Sequence, residues 1–481
     1  MQLDGQGPVH AQLTRALRAG ILRGQFPPRS RLPPTRWLAA ELGVSRNTVL
    51  AAYEQLRAEG FVDGRVGSGS YVSPPMHGAA TTPAPVATMA PQSAYARRAR
   101  ATYDRSRIPG LAIPGMRYSF QYGVPLTNPL LTSAWSRALS QAARYTQPNY
   151  PLSQGVPELR EAVCDYLARR RGIDALPDDV LIVAGTQQAL ALAARVLLEP
   201  GDFAAIEDPH YFAIRMVLHI HGARIATVPV DERGLRCDAL PEQAPKLVCV
   251  TPSHQFPSGA VMPLQRRMEL LEYAGSRGSW IFEDDYDGEF RYDSKPLAAL
   301  RSLDRQGRVV YVGTFSKAIF PALRMGYLLM PPALRQDFIA AKWAEDFGSP
   351  AIEQVALASF MRDGGFERHL RRSAKTLKER RSALIAGLQA CNRGRLEIAD
   401  SRAGMHLVVW LRGRPRADGD ALIALARERG LGLYSIAPMY GRPPDRAGLL
   451  MGYCGLSVRE IEQAMALFGA CLDDLFPAAS A

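Results

Sequence analysis

Apolar residues recur along this chain with two different periods, and the change from one to the other divides it. Residues 8–24, PVHAQLTRALRAGILRG, put Val9, Leu13, Leu17 and Ile21 on one face of a helix. A loop with Pro27, Pro28, Pro33 and Pro34 follows. TRWLAAELGVSRNTVLAAYEQLRAEG then reads as helix, tight turn, helix, with Gly43 at the turn and Ser45 as N-cap of the second helix. There Val49, Ala52, Tyr53 and Leu56 face inward, which leaves Arg46, Asn47 and Thr48 exposed on the first turn. FVDGRVGSGSYV adds two short strands around GRVGSGS, the form of a wing. From about residue 117 the pattern changes to short strand-like runs separated by helical segments. The runs are DVLIVAG (179–185), FAAIEDP (203–209), ARIATVPV (223–230), KLVCVTP (246–252), SWIFEDDY (279–286), RVVYVGTFS (308–316) and MGYLLMP (325–331). That alternation predicts an α/β domain with a mostly parallel sheet, whose ligands gather beyond the carboxyl ends of the strands. Beyond residue 375, KTLKERRSALIAGLQAC predicts a long helix leading to the strand GMHLVVWL and a smaller α+β part.

The expected organisation is multidomain. Residues 1–73 form a mainly α, winged helix-turn-helix head. Residues 74–116, rich in Pro, Ala, Thr and Arg with no apolar period, form a mostly disordered, partly extended linker. Residues 117–481 form the large domain, with a larger part over about 117–375 and a smaller one over about 376–475.

Composition narrows the function. The chain is 47% hydrophobic and 22% charged, and no apolar run approaches the roughly 18–20 residues of a membrane span. The first residues lack the apolar core of a signal peptide, and the six cysteines lie far apart with no C-x-x-C pair. A cytoplasmic protein with reduced thiols is expected. The HIH at 219–221 reads as strand surface, because no third ligand stands at a metal-site spacing. The net charge of +12 is uneven: residues 1–72 carry +4 and residues 73–117 carry +5. Such asymmetry suits a polyanion partner. Arg46 opens a helix, where the dipole favours anions, so its charge is better explained by a phosphate or base edge.

Lys and Arg together number 58, yet only six are lysines. One of them, Lys317, follows the run RVVYVGTFS. Arginine stays protonated, whereas a desolvated lysine can lose its proton and form a Schiff base with an aldehyde. Around it, Thr314, Ser316 and Arg324, with Thr186 and Gln187 of GTQQ opening a helix, can form a phosphate cup. Asp284, at the end of a very apolar strand, needs a cationic partner such as the protonated ring nitrogen of pyridoxal 5'-phosphate. Tyr286 can donate to the ring oxygen and Tyr211 can stack on the ring face.

Residues 31–72, RLPPTRWLAAELGVSRNTVLAAYEQLRAEGFVDGRVGSGSYV, resemble the winged helix-turn-helix of the GntR superfamily. The resemblance implies contacts to double-stranded promoter DNA by Arg36, Ser45, Arg46, Thr48, Ser68 and Gly69. NYPLSQGVPELREAVCDYLARRRG, GTQQAL, EDPHY, TPSHQFPSG, EDDYDGEF and TFSKAIFPALRMG resemble, in order, the motifs of fold-type-I aminotransferases. That likeness implies an internal aldimine at Lys317, Asp284 on the ring nitrogen, and Thr314 and Arg324 on the phosphate. It also implies a homodimer in which Tyr150 reaches the partner's cofactor. The combination resembles the MocR/GabR regulators, in which a small amine or amino-acid-like molecule sensed at the cofactor changes promoter binding. Two positions depart from the aminotransferase pattern. Phe256 stands where an Asn bonds the ring oxygen, leaving His254 and Tyr286 to do so. Leu450 stands at about the place of the substrate-carboxylate arginine, with Arg442 and Arg446 nearby in a Pro/Gly-rich loop. Three readings stay open: a regulator sensing an amine, an active aminotransferase with a DNA-binding head, and a sensor of pyridoxal phosphate itself.

Overall fold

The computed structural model describes residues 3–65, 69–74, 92–103, 109–126, 133–147, 149–292, 297–399 and 403–477. Ser68 lies outside the described residues. The chain divides into two units, Met1–Gln92 and Ser93–Ala481.

In the first unit, helices α1 (Val9–Leu22), α2 (Thr35–Leu42) and α3 (Arg46–Ala58) enclose a small core. Leu13, Leu17, Val49, Ala52 and Leu56 are fully buried. Truncating one such leucine to alanine costs about 2–5 kcal/mol. Val9 is 42% exposed, so the apolar face of α1 begins one turn later than the periodicity suggests. Gly43 closes α2 in the left-handed region at φ 65°, and Ser45 Oγ accepts from the Thr48 amide at 3.1 Å, which starts α3. The Tyr53 hydroxyl donates to Pro33 O at 2.8 Å and pins the proline loop to α3. Strands β1 (Val62–Arg65) and β2 (Gly69–Val72) pair antiparallel, with Val62 opposite Val72, and form the expected wing.

The second unit opens with a helix, Ala94–Thr102, where the composition predicts an extended linker. None of its residues is buried, so no apolar period marks it. Capping holds it instead: Arg98 donates to Ile220 O and His221 O, the last carbonyls of helix Phe212–His221. That second helix also corrects the HIH reading. His219 and His221 end a helix rather than a strand, and His221 Nε2 bonds Leu198 O at 2.8 Å.

Strand β3 (Tyr118–Ser119) precedes the main sheet, which contains β4 (Val180–Val183), β5 (Phe203–Asp208), β6 (Arg224–Asp231), β7 (Gly234–Leu235), β8 (Leu247–Val250), β9 (Trp280–Asp285), β10 (Val309–Thr314) and β11 (Gly326–Leu329). The spatial order is β4-β11-β10-β9-β8-β5-β6-β7. Pairs within β10-β9-β8-β5-β6 are parallel, whereas β11 runs against both β10 and β4, and β7 against β6. The sheet is therefore mixed, with a parallel centre. Because β11 opposes both neighbours, β4 runs the same way as β10 and ends at the same edge. The central strands are covered on both faces; Val309, Val310, Tyr311 and Val312 of β10 are fully buried.

A 28-residue helix, Gly365–Asn392, starts ten residues before the expected 375. It packs beside an antiparallel sheet of β12 (Leu396–Ala399), β13 (His406–Pro415) and β15 (Arg446–Gly452). Strand β14 (Leu431–Gly432) pairs parallel with β3, so Tyr118 and Ser119 join the smaller part rather than the larger one.

Candidate functional site

A cavity of about 300 Å³ opens where β4, β5, β8, β9 and β10 end. Lys317 lies on the turn Phe315–Ala318 directly after β10, and its ammonium donates to Gly123 O. Burial lowers its pKa below the usual lysine value, against the opposing pull of Cys454, Asp287 and Asp284. A lysine so placed gives up its proton more readily than one in water.

Asp284, at the end of β9, lines the cavity. Burial, then Asp285, Asp287 and Glu207, push its carboxyl up to about 8. Its Oδ1 has no hydrogen-bond partner among the described residues. Its neighbour Asp285 is already matched, by Arg171 at 2.8 Å and the Tyr311 hydroxyl at 2.6 Å. Of these two neighbours, the one with an unmet oxygen is therefore the one that lines the cavity.

Opposite chemistry marks another wall. Gly185 has φ 83° and ψ −179°, a conformation essentially reserved for glycine, and caps helix Thr186–Leu197. A Cβ at Gly185 would meet the guanidinium of Arg324 at 3.7 Å. Arg324 is itself held in the left-handed region at φ 47°, a strain of about 1–3 kcal/mol. Its Nη2 donates to Ala184 O at 2.8 Å. Thr186, Gln187, Thr314 and Ser316 line the same cavity, so helix amides, hydroxyls and a guanidinium converge on an anion-sized space. Tyr211 and Phe256 wall the cavity with rings 5.8 Å apart, edge to face.

Tyr286 lines the cavity, but His254 stands behind it. His254 Nδ1 lies 2.9 Å from the Tyr286 hydroxyl and 2.8 Å from Asp287 Oδ2. His254 is therefore not on the cavity wall but behind Tyr286 and beside His406, its ring 5.7 Å from that of His406, which corrects its expected direct contact. Tyr150 does not line the cavity either; it is 84% exposed, with its ring 6.2 Å from Phe347. His406, which the sequence reading missed, does line it. Its Nε2 is 3.0 Å from Pro257 O, and burial followed by the charge of His254 holds its pKa down to about 4. Gly123 and Thr251 were missed as well: no motif marks Gly123, and Thr251 opens the run TPSHQFPSG without having been singled out.

Leu450 is fully buried in an apolar cluster with Tyr122, Phe256, Trp410 and Tyr434. Arg446 opens strand β15 rather than a loop, and its guanidinium sits 3.7 Å over the Trp410 ring. On the head, Arg36 and Arg46 are exposed, and Gly69 is at φ 112°. The Ser45 and Thr48 hydroxyls bond each other at 2.8 Å. Among the described residues no helix is long and apolar enough to cross a membrane, and no group of residues could hold a metal ion.

Residues 10–72 match the family described as bacterial regulatory proteins, gntR family, and residues 121–444 match aminotransferase class I and II. Over 478 residues, 96% of this chain and 93% of its relative, the chain is 35% identical to a probable rhizopine catabolism regulatory protein MocR of Rhizobium meliloti. The chain belongs to the MocR family of transcriptional regulators. This MocR-family chain is also 31% identical, over 92% of each protein, to the pyridoxine biosynthesis transcriptional regulator PdxR of Corynebacterium glutamicum. Among solved structures it resembles LysN, an α-aminoadipate aminotransferase of Thermus thermophilus complexed with N-(5'-phosphopyridoxyl)-L-leucine. The TM-score is 0.69 at 25% identity, covering 78% of this chain and 98% of that one. The large unit of this regulator thus has the fold of a pyridoxal-phosphate-dependent family.

Proposed function

We propose that this MocR-family regulator holds pyridoxal 5'-phosphate in the cavity and changes its affinity for promoter DNA when a primary amine reaches that cofactor. One observation carries the reading: the buried, unmatched Oδ1 of Asp284 shares its cavity with a lysine of lowered pKa and with an anion cradle. A ligand that meets all three needs a cation, a carbonyl and an anion in one small frame. Asp284 would pair with a protonated ring nitrogen, and Lys317 would hold the aldehyde. Gly185, Thr186, Gln187, Thr314, Ser316 and Arg324 would hold the phosphate, and Tyr211 would cover the ring. Tyr286, fixed by His254 and Asp287, would bond the ring oxygen. When bound, the cofactor supplies an aldehyde that captures primary amines and a ring that withdraws electrons from them. His406, held neutral near pH 7, adds no charge to the cavity.

The same reading has a second copy of the chain covering Tyr150. Its support is an exposed aromatic surface: Tyr150 lies beside Phe347, 55% exposed, which lies 5.0 Å from Trp343, 54% exposed. On the head, Arg36, Arg46, Thr48 and the wing would contact the duplex, with Arg46 at the base edges. Leu450 weighs against turnover of ordinary amino acids, because an apolar side chain fills the position expected to hold a carboxylate.

The test begins with borohydride reduction of the protein loaded with pyridoxal phosphate, followed by peptide mapping. Label on Lys317 and loss of that label and its visible absorbance band in Lys317→Ala are expected; label on another lysine rejects the site. Promoter binding is then measured with a panel of primary amines, and one of them should shift affinity by about 1–3 kcal/mol. If pyridoxal phosphate alone shifts it and no amine adds to that, the chain senses the cofactor, as the likeness to the pyridoxine regulator would favour. If an amine is turned over rapidly to its carbonyl compound, the chain is an enzyme.

A further inference from the structure

Two arginines of the head are held against the wing with no side-chain partner among the described residues. A methyl group added at Gly64 would overlap the Arg57 guanidinium, and one at Gly69 would lie 2.8 Å from Arg31 Nε. Each guanidinium therefore rests against a glycine of the wing, where a larger residue would displace it. Gly64 is opposite Ser70 and Gly69 is opposite Arg65. Paired residues share a face and successive residues alternate, so Gly64 and Gly69 lie on opposite faces of the hairpin. Arg57 reaches the first face from α3, near that helix's end. Arg31 reaches the second from its bridge to Tyr71 on β2. The wing thus carries one guanidinium on each side, close to its tip.

Some arginines of the unit are matched within the protein, and what sets Arg31 and Arg57 apart is their seat against the glycines of the wing. Arg15 donates to Asp4 through Nε at 2.8 Å, and Arg18 likewise to Glu59 at 2.8 Å. Arg31 and Arg57 are exposed, and neither side chain has a hydrogen bond or ion pair to any described residue. A planar guanidinium laid on backbone and left unmatched is prepared for an external oxyanion. Two of them, on opposite faces of a narrow hairpin, suit the two phosphate backbones that border a groove of duplex DNA.

We infer that Arg31 and Arg57 form a two-sided phosphate clamp: the wing enters the groove beside the one read by α3, and each arginine contacts one of the flanking DNA strands. This rests on the DNA-binding reading of the head and adds two contacts that the base-reading turn at Arg46 does not supply. The contacts carry affinity and salt dependence rather than sequence preference.

The probe is a duplex that the wild-type full-length chain selects from a random-sequence pool. Its affinity is measured by anisotropy across a range of NaCl concentrations. Arg31→Gln and Arg57→Gln should each flatten the slope of log affinity against log salt by about 0.9 for every head bound, and the double variant by about 1.8 for every head bound. Discrimination between the selected duplex and a scrambled one should stay at the wild-type ratio. Gly64→Ala keeps every charge but displaces the flexible end of Arg57, so it should flatten the slope as Arg57→Gln does. Arg57→Lys, which keeps a cation but loses the fork, should recover part of the slope. Thermal melting of each full-length variant at the wild-type temperature confirms the fold. Unchanged slopes in both single variants overturn the clamp and leave the regulator reading intact, as does a wild-type slope in Gly64→Ala for the glycine seat. If the wild-type chain enriches no duplex at all, the DNA reading falls and the clamp falls with it.

Discussion

The first turn of α3 and the cavity at the strand ends place their working groups in opposite physical settings. On α3, Arg46 stands in water, beside a helix whose apolar side holds Val49, Ala52, Tyr53 and Leu56 fully or almost fully buried. Binding and folding are there assigned to different residues. At the cavity, Asp284 is 4% exposed, shares its strand with core residues, and carries a charge that the fold itself disfavours. Binding and folding are there assigned to the same residue. The difference predicts that a substitution on the head changes either affinity or stability, according to the residue, whereas one in the cavity changes both, in opposite directions.

The largest effect should come from Asp284→Asn. Burial raises the folded-state pKa of Asp284 to about 8, above the roughly 3.9 of an unfolded aspartate. Between those values the folded state holds a proton that the unfolded state lacks. The stability tied to this group is thus fully present below about pH 4 and is lost as pH rises through about 8. Asparagine cannot ionise, so the cofactor-free variant should lose less stability between pH 5 and 8 than the wild type, with an advantage of about 2 kcal/mol or more at pH 8. Its affinity for pyridoxal phosphate should fall by about 10–100-fold, the worth of one hydrogen bond to a charged group. Denaturant titrations at several pH values, run beside cofactor titrations, measure both. A variant that is less stable than the wild type at pH 8 would show that Asp284 is matched in solution and would remove the contrast with the head.

Next in size is Arg46→Ala. Loss of a base-edge contact should weaken binding to the selected duplex by about 1–3 kcal/mol and flatten sequence preference, with the melting temperature unchanged. An even loss across all sequences, with a salt slope lower by about one, would move Arg46 from the bases to the phosphates. Wild-type affinity at every salt concentration would take it out of the interface.

The same division explains what could be read in advance. The head was legible almost throughout, because its signals are local: a helical period, Gly43 at the turn, Ser45 at the cap, glycines in the hairpin. Along the large unit, strand-end residues such as Lys317, Asp284 and Tyr286 announced themselves by ending apolar runs. His406 gave no such signal, since it begins strand β13 far along the chain and reaches the cavity only through tertiary packing. Helix Ala94–Thr102 was missed because a few hydrogen bonds, not an apolar face, hold it in place. The motif order places His254 near the cofactor site but not its depth, because the side chain that separates it from the cavity, Tyr286, comes from another strand end 32 residues along the chain.

The smallest expected effect separates the two roles offered for Ser45. Its place before Arg46 resembles a DNA contact, yet its Oγ accepts from the Thr48 amide at 3.1 Å and bonds the Thr48 hydroxyl at 2.8 Å. A hydroxyl used twice inside the protein is a helix cap first. Ser45→Ala should destabilise the head by about 0.5–2 kcal/mol through the lost cap. Ser45→Asp keeps a capping oxygen and adds a favourable charge at the helix N-terminus, so its stability should equal or slightly exceed that of the wild type. On DNA the order should reverse. Ser45→Ala should bind within a few-fold of the wild type, because Arg46 and the wing still face the duplex, whereas Ser45→Asp should bind more weakly and improve as salt screens its repulsion from phosphate. Melting curves and anisotropy on the same pair of variants decide the matter. If Ser45→Ala melts like the wild type but loses more affinity than Arg46→Ala, Ser45 is a DNA contact and the separation of folding from binding on the head fails at its first residue.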